Sequence, residues 1–566
     1  MSELYDSCIQ VGENGSLEYK WNITNSEEKI TQLYFQLTTS SNINLINLQL
    51  IHKNLIYNVS KDEKKILFKM LAHTRDIVMG KGIYGLSYMM LYNYAEYNFE
   101  LFQKMFNNFV GYNSDLMNPY GSWKDCKYLI DYCEKNYKTT DTTMKIKNYL
   151  YTIITDQLNT DEKNLKENLK ENLKEKLNNI SLLAKWVPRE KSKYSSIFNE
   201  LAIFSAPFKL PNKDTESYKK AVLKLKTNLR KRIASINKHL KTVQINQCDK
   251  NWKEIDFKKN VTSITMIKQK KAFLNIKKDG TLRNSDEDRT TARNNLLSYL
   301  EDVSNGKDKM KASNVSIYDY VKSALFTNDE DEEMLINESW KENGKQISRL
   351  NNFIAMVDTS GSMECDKCKP LYNALGLGIR VAEKSSLGKR ILTFSANPTW
   401  VNLEDCDTFT EMVKKVKTSE WGMNTDFKKA MMMVLNAIKA VKMSPEEVEN
   451  MVLAIFSDMQ YDNNFQNADK LTMIDYLKKE YETAGLEIHN VPYKLPHILF
   501  WNLRSTNGFP SLNKHENISM LSGNSSSLLN KFATKGMNAL TDVTPWKMLN
   551  DQLNEDRYNI LEEYVV

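Results

Sequence analysis

The stretch with the clearest chemistry is Asp358-Thr-Ser360-Gly-Ser362-Met, which directly follows the apolar run Phe353 to Val357. Asp, Ser and Ser at alternate positions put one carboxylate and two hydroxyls on a single loop, where they can be aimed at one point. Such a set suits a hard cation, since Mg²⁺ takes near-octahedral oxygen ligation at about 2.0 to 2.1 Å and usually keeps some of its waters. Taken alone, the pattern also describes a turn, because Asp, Ser and Gly are turn formers. The surrounding elements decide how much weight it carries.

Past residue 350 the chain reads as strands alternating with helices. Phe353 to Val357, Ile391 to Phe394, Val452 to Phe456 and Ile498 to Trp501 are short apolar runs suited to a sheet buried on both faces. Helical spacing is expected between them at Lys369 to Ala382, Asp426 to Val441 and Asp469 to Ala484. This is the layout of a doubly wound, Rossmann-like α/β domain. In such a sheet ligands bind at the carboxyl ends of the strands, which is where the serine loop falls.

With the loop and its strands in view, the region resembles a von Willebrand factor A-like domain. Asp358, Ser360 and Ser362 match the D-x-S-x-S signature of that family's metal site, Thr425 in GMNTDF matches its threonine, and Asp458 in IFSDMQ matches its last aspartate. The resemblance implies one Mg²⁺ or Mn²⁺, with direct ligation by Ser360, Ser362 and Thr425, and action through water by Asp358 and Asp458. It also implies that a protein partner's carboxylate completes the shell.

Other chemistry is sparse. Cys365 and Cys368 form one C-x-x-C, but no second pair or histidine cluster accompanies it to make a zinc site. The six histidines show no zinc spacing, and Gly80 to Gly85 (GKGIYG) lacks the ending of a phosphate-binding loop. No nucleophile and base pair stands out, so an enzyme is not expected.

The front of the chain reads mostly as helix, with apolar residues three and four apart, as at Ile66, Leu67, Met70 and Leu71. That pattern suggests an α-helical, HEAT-like repeat array. A Lys/Glu/Leu-rich insertion lies near residues 160–178, with Leu165, Leu169, Leu173 and Leu177 on one stripe of a helix. The acidic run Asn328 to Glu333 reads as a solvated loop, and Leu223 to Lys241 as a strongly basic helix that either crosses a nucleic-acid backbone or faces water. His73 to Ile77 (HTRDI), Gly80-Lys-Gly82, Tyr120 to Asp125 (YGSWKD), Ser181 to Tyr194 (SLLAKWVPREKSKY), Trp252 to Asp256 and Lys271 to Phe273 resemble a family known from giant viruses, plants and fungi and related to the Ro/TROVE RNA-binding proteins. That resemblance implies single-stranded or structured RNA as a partner. It makes Arg75, Lys81, Lys124, Lys185 and Arg189 candidate phosphate contacts, with Trp123, Trp186 and Tyr194 able to stack on bases or serve as helix core.

Composition sets the frame. With 566 residues and few Gly and Pro, the chain is ordered and too long for one core. Two units are expected: residues 1–345, helical, and 346–566, α/β. A net charge of +7 is concentrated in the front half, which favours a polyanion only if it gathers on one face. Seven scattered cysteines, no signal-like start and no long apolar run predict a cytoplasmic protein without membrane contact. The function these features predict is binding within a ribonucleoprotein; the alternative is a protein–protein scaffold that uses the metal and no RNA.

Overall fold

The computed structural model describes residues 9–38, 42–170, 180–419, 426–462, 473–529 and 543–565. The N-terminal region is largely helical and the C-terminal region carries a mixed, mainly parallel six-stranded sheet. Two short strands come first, β1 (Ile9–Val11) and β2 (Leu17–Tyr19), paired as an antiparallel hairpin. The large sheet consists of β3 (Phe353–Asp358), β4 (Arg390–Phe394), β5 (Thr399–Asn402), β6 (Val452–Ser457), β7 (His497–Asn502) and β8 (Ile518–Ser522).

Its order is β5-β4-β3-β6-β7-β8, with β5 alone antiparallel to its neighbour. From β3 the chain winds outward to β4 and β5, then returns past β3 to lay down β6, β7 and β8. The direction of winding therefore reverses between β3 and β6, and the crevice at the carboxyl ends of those two strands is the switch point of the sheet.

Alternation along β3 explains why its run is apolar throughout. Met356 enters the core cluster with Leu453, Ile455, Phe427 and Met431, while Val357 meets the helix Cys365–Lys384 on the opposite face. That helix is pressed from two sides, and glycine makes this possible. A Cβ on Gly378 would lie 2.4 Å from Val357 Cγ2, and one on Gly376 would lie 2.3 Å from Ile317 Cγ2. The loop of Asp358 to Ser362 is thus tethered at one end to a central strand and at the other to a helix with no room to shift.

The compact units cut across the expected division at residue 345. One comprises Met1–Leu86, Ser263–Thr281 and Leu300–Val566; the other comprises Ser87–Thr262 and Leu282–Tyr299. In the first, the helix Ser26–Gln36 packs against β8, and the helices Ile317–Phe326 and Glu330–Gly344 pack near Cys365–Lys384 and Phe409–Lys417. Trp340 stacks on Phe409 with ring centres 3.8 Å apart, and the buried Arg380 lies over the Trp340 ring at 3.6 Å. Secondary-structure type changes near residue 350, but the apolar faces of these earlier helices find their partners in the α/β region.

The second unit is helical. Asp141–Lys170 packs on Lys124–Tyr137 and on Glu216–Leu240, which also receives Ser195–Phe204. The insertion with Leu165 continues Asp141–Lys170, with Leu165 buried; Leu173 and Leu177 lie outside the described residues, and nothing is described of the Leu169 side chain. The basic helix turns Leu225, Leu229, Ile233 and Ile236 inward, so its cations occupy its remaining faces. Arg230 and Arg232 are paired with Glu190 and Glu162.

Two expectations about elements need correction. Asn328 to Glu333 is not a solvated loop: Asp329 caps the helix Glu330–Gly344 by accepting the Glu332 amide at 2.9 Å. Acidic residues in a first turn complement the positive end of the helix dipole, and Glu332 is buried between Lys270 and Lys271. The edge strands β5 and β8 were not anticipated, because TWVN and ISMLS carry weaker apolar signals than the four central runs.

Candidate metal centre

Asp358 ends β3 and Asp458 follows β6, so the register that pairs Val357 with Phe456 brings both carboxylates to the switch point. Both are fully buried. Asp358 Oδ1 accepts the Ser360 amide at 2.9 Å, and Oδ2 accepts the Ser457 hydroxyl at 2.6 Å. These bonds fold the loop back on its own aspartate and set Ser360 Oγ 3.1 Å from Ser362 Oγ. Ser360 is buried and Ser362 half-buried, so the hydroxyl pair sits at the lip of the crevice.

Asp458 is held differently. Its Oδ1 accepts the Gln460 amide at 3.2 Å, and its Oδ2 accepts Arg504 Nε at 2.8 Å. Between them, Met459 adopts a left-handed backbone with φ of 64°, and its amide donates to Ser457 Oγ at 2.9 Å. Arg504 comes from the chain just beyond β7, and its Nη2 also donates to Glu13 Oε2 at 3.0 Å.

The electrostatics follow from this burial. Loss of water around Asp358, reinforced by the negative charge of Asp458, pushes its carboxyl up to about 7 against the bonds from Ser360 and Ser457. Arg504 is raised further above its ordinary range by Asp458 and Glu13, which outweigh its own burial. Of the two buried carboxylates, Asp458 is paired with Arg504, whereas Asp358 is met only by the Ser360 amide and the Ser457 hydroxyl, in a crevice whose other side-chain oxygens are hydroxyls. A hard divalent cation fits this set: Asp358, Ser360, Ser362 and Asp458 would hold it, and all are oxygen donors.

Thr425 lies outside the described residues, but the helix it precedes begins as expected. Asp426 caps Phe427–Val441 by accepting the Lys429 amide at 2.9 Å, and its own amide donates to Ser395 O at 3.0 Å beyond β4. Cys365 and Cys368 follow the serine loop, and Asp366, Lys367 and Cys368 all have positive φ. None of the six cysteines among the described residues is in a disulfide.

The five basic candidates separate into two groups. Arg75 and Lys81, expected to touch phosphate, are buried in the first unit and present no cation to a polyanion. Arg75 lies over the Tyr84 ring at 4.1 Å. Lys81 Nζ donates to Tyr34 O at 2.7 Å, Leu37 O at 3.2 Å and Ser522 Oγ at 2.6 Å, and burial holds it well below its ordinary range. Both tie the front of the chain to its own core. Trp123 is likewise buried, edge-on to Tyr112, and is helix core instead of a stacking surface.

Lys124, Lys185 and Arg189 do come together, in the second unit. Asp161 fixes the segment that Lys185 and Arg189 share with Trp186 by accepting the amide of Ser181 at 3.0 Å and its hydroxyl at 2.6 Å, and Asn237 Nδ2 donates to Ala184 O at 2.7 Å; Lys124 comes from the start of the helix Lys124–Tyr137. Around the half-buried Trp186 ring stand Lys124 at 4.2 Å, Lys127 at 5.2 Å and Lys185 at 5.3 Å, and Lys193 lies 5.2 Å from the Tyr194 ring. Lys127 is depressed by burial and then by the nearby charges of Lys124 and Arg189. Among the described residues, Lys127, Lys185, Arg189 and Lys193 have no carboxylate partner. Lys127 and Lys193 were missed by sequence reasoning; their signal was the density of Lys around WKDCKY and PREKSKY.

No helix among the described residues is long and apolar enough to cross a membrane. Comparison with known families matches residues 134–351 to "Domain of unknown function (DUF2828)" and residues 352–561 to "Domain of unknown function (DUF7788)". The junction of the two matches falls at the start of β3. An uncharacterized protein of Acanthamoeba polyphaga mimivirus is 29% identical over 517 residues, covering 89% of this chain and 80% of the relative.

Proposed function

We propose that the α/β region is a von Willebrand factor A-like domain that binds one Mg²⁺ or Mn²⁺ through Asp358, Ser360, Ser362, Thr425 and Asp458. Its role is non-catalytic binding: the ion recruits a carboxylate from a protein partner. The observation that carries the reading is the switch-point crevice itself, where two buried carboxylates, one of them paired with Arg504, lie beside a pair of serine hydroxyls. When bound, the ion supplies a Lewis-acidic point for an external oxygen ligand.

Calorimetric titration of the whole chain with Mg²⁺ and Mn²⁺ tests this. Wild type should bind one ion, and Ser360→Ala should weaken binding by tenfold or more, on the order of one lost ligand (~1.4 kcal/mol). Equal affinity in both would sink the site. Any protein partner captured by the chain should be released by EDTA and by Thr425→Ala, and metal-dependent phosphoester turnover lost in Asp458→Ala would replace the binding role with an enzymatic one.

A second reading is favoured by the cationic cluster of the helical unit: it binds single-stranded or structured RNA, as in a ribonucleoprotein. Lys124, Lys127, Lys185 and Arg189 would neutralise phosphates, and the half-buried Trp186 offers a face for an unpaired base. Each phosphate contact on a single strand contributes about 0.7 to the slope of log affinity against log salt. Lys185→Ala and Arg189→Ala should each flatten that slope by about 0.7, whereas Ser360→Ala should not. Undetectable RNA binding at low salt would leave the metal-dependent scaffold.

A further inference from the structure

The hairpin of β1 and β2 reaches the carboxylates of the switch point. Its base is anchored: Tyr19 N donates to Phe509 O at 3.0 Å, Phe509 N donates to Tyr19 O at 2.9 Å, and Trp21 packs edge-on to Phe509. Its tip has no such apolar anchor. Glu13 N donates to Gln460 Oε1 at 2.9 Å, Asn14 Nδ2 donates to Gln460 O at 3.1 Å, and Gly15 bridges to Asp462. A further tip contact is the Glu13 carboxylate on Arg504, whose other arm holds Asp458.

We propose that Glu13, Arg504 and Asp458 form an autoinhibitory latch, in which Arg504 occupies Asp458 while the hairpin tip is closed and is displaced when a divalent cation takes Asp458. This rests on the metal reading. Both oxygens of Asp458 are engaged in the closed arrangement, by Arg504 and by the Gln460 amide. A divalent ion at that carboxylate places two positive charges beside a half-buried guanidinium, and such like charges repel strongly away from bulk water. Once Arg504 leaves, the tip keeps its bonds to residues 460–462, the same segment that carries Asp458. Glu13 is more than half exposed, so its ion pair is weak by itself and the tip can open while Tyr19 and Trp21 stay packed.

The coupling is reciprocal: an ion that opens the tip must bind tighter when the latch is cut. In the full chain, Arg504→Gln should bind Mn²⁺ about tenfold tighter than wild type by calorimetry. Hydrogen exchange of the Glu13 amide should accelerate about tenfold in wild type on saturation with Mn²⁺, and should be fast with or without Mn²⁺ in Arg504→Gln. Glu13→Gln changes an exposed side chain and keeps the Arg504–Asp458 pair, so it tests the tip should Arg504→Gln fail to fold; its tip should exchange fast without metal. If Mn²⁺ binds wild type but exchange at Glu13 does not change and Glu13→Gln stays protected, the latch is overturned and the metal site stands. If no variant nor wild type binds Mn²⁺, the metal reading fails and the latch falls with it.

Discussion

Asp358→Asn should make the metal-free protein more stable at neutral pH while removing its response to Mg²⁺. The native carboxyl is raised from its ordinary 3.8 toward about 7 by burial and by Asp458. Between those two values the folded protein holds a proton that the unfolded chain has released. Stability contributed by this group is therefore full below about pH 4, declines as pH rises, and is lost by about pH 7. A difference of this size corresponds to as much as about 4 kcal/mol. Asparagine is neutral at every pH, can accept the Ser360 amide while its Nδ2 donates to Ser457 Oγ, and should remove that decline. Thermal unfolding of the metal-free chain at pH 5 and pH 7.5 should show wild type losing stability over this range and Asp358→Asn losing less.

Metal inverts the sign of this effect. A bound divalent cation favours the ionised carboxylate, so wild type should gain stability on adding Mg²⁺, most of all above pH 7, whereas Asp358→Asn should gain little. Below pH 7 the ion must displace a proton, and its apparent affinity should fall with falling pH. A variant less stable than wild type at pH 7.5 without metal would mean that Asp358 is charged and compensated, contrary to the electrostatic reading. A variant that still gains full stability from Mg²⁺ would remove Asp358 from the site.

How much of this was legible in the sequence depends on range. The strand before Asp358 could be read because burial on both faces demands an unbroken apolar run, and the helix after it could be read because Pro370 and a long periodic segment follow. Ser457 was readable in principle: it directly precedes Asp458 at the end of a buried strand, next to the strand that ends in Asp358. Arg504 carries a weaker signal, a cation just past the carboxyl end of β7. Glu13 carries none, since its partner is hundreds of residues away and no local rule links a hairpin tip to a sheet crevice. The misplaced cations teach the complementary lesson. A Lys beside glycines, as at Lys81, reads as exposed because lysine is seldom buried, yet backbone carbonyls of Tyr34 and Leu37 solvate it inside the protein.

The motif His73 to Asp76, which suggested a nucleic-acid surface, is a clamp, and breaking it should have the largest effect on stability of any single change considered. His73 lies between the rings of Tyr34 and Tyr558, Thr74 Oγ1 donates to Met70 O at 2.7 Å, and Asp76 is fully buried. Arg557 donates to Asp76 from Nε at 2.7 Å and from Nη2 at 2.9 Å, and the Tyr558 hydroxyl donates to the same carboxylate at 2.8 Å. Asp76→Ala would take the carboxylate away from a mostly buried guanidinium and a buried phenol. Removing one partner of such a pair costs about 3 to 5 kcal/mol, much of it from the charge left behind. The paired change Asp76→Leu with Arg557→Met removes both charges and should recover most of the loss, because a buried ion pair replaced by apolar side chains is often neutral. The measurement is the unfolding midpoint of the full chain for the single and paired variants. A loss below about 1 kcal/mol in Asp76→Ala would show the pair to be solvated. A paired variant no better than the single one would place the cost in shape and hydrogen bonding, since the tail around Arg557 is also held by the ion pair of Lys69 with Glu562 and by Tyr34 with Gln552.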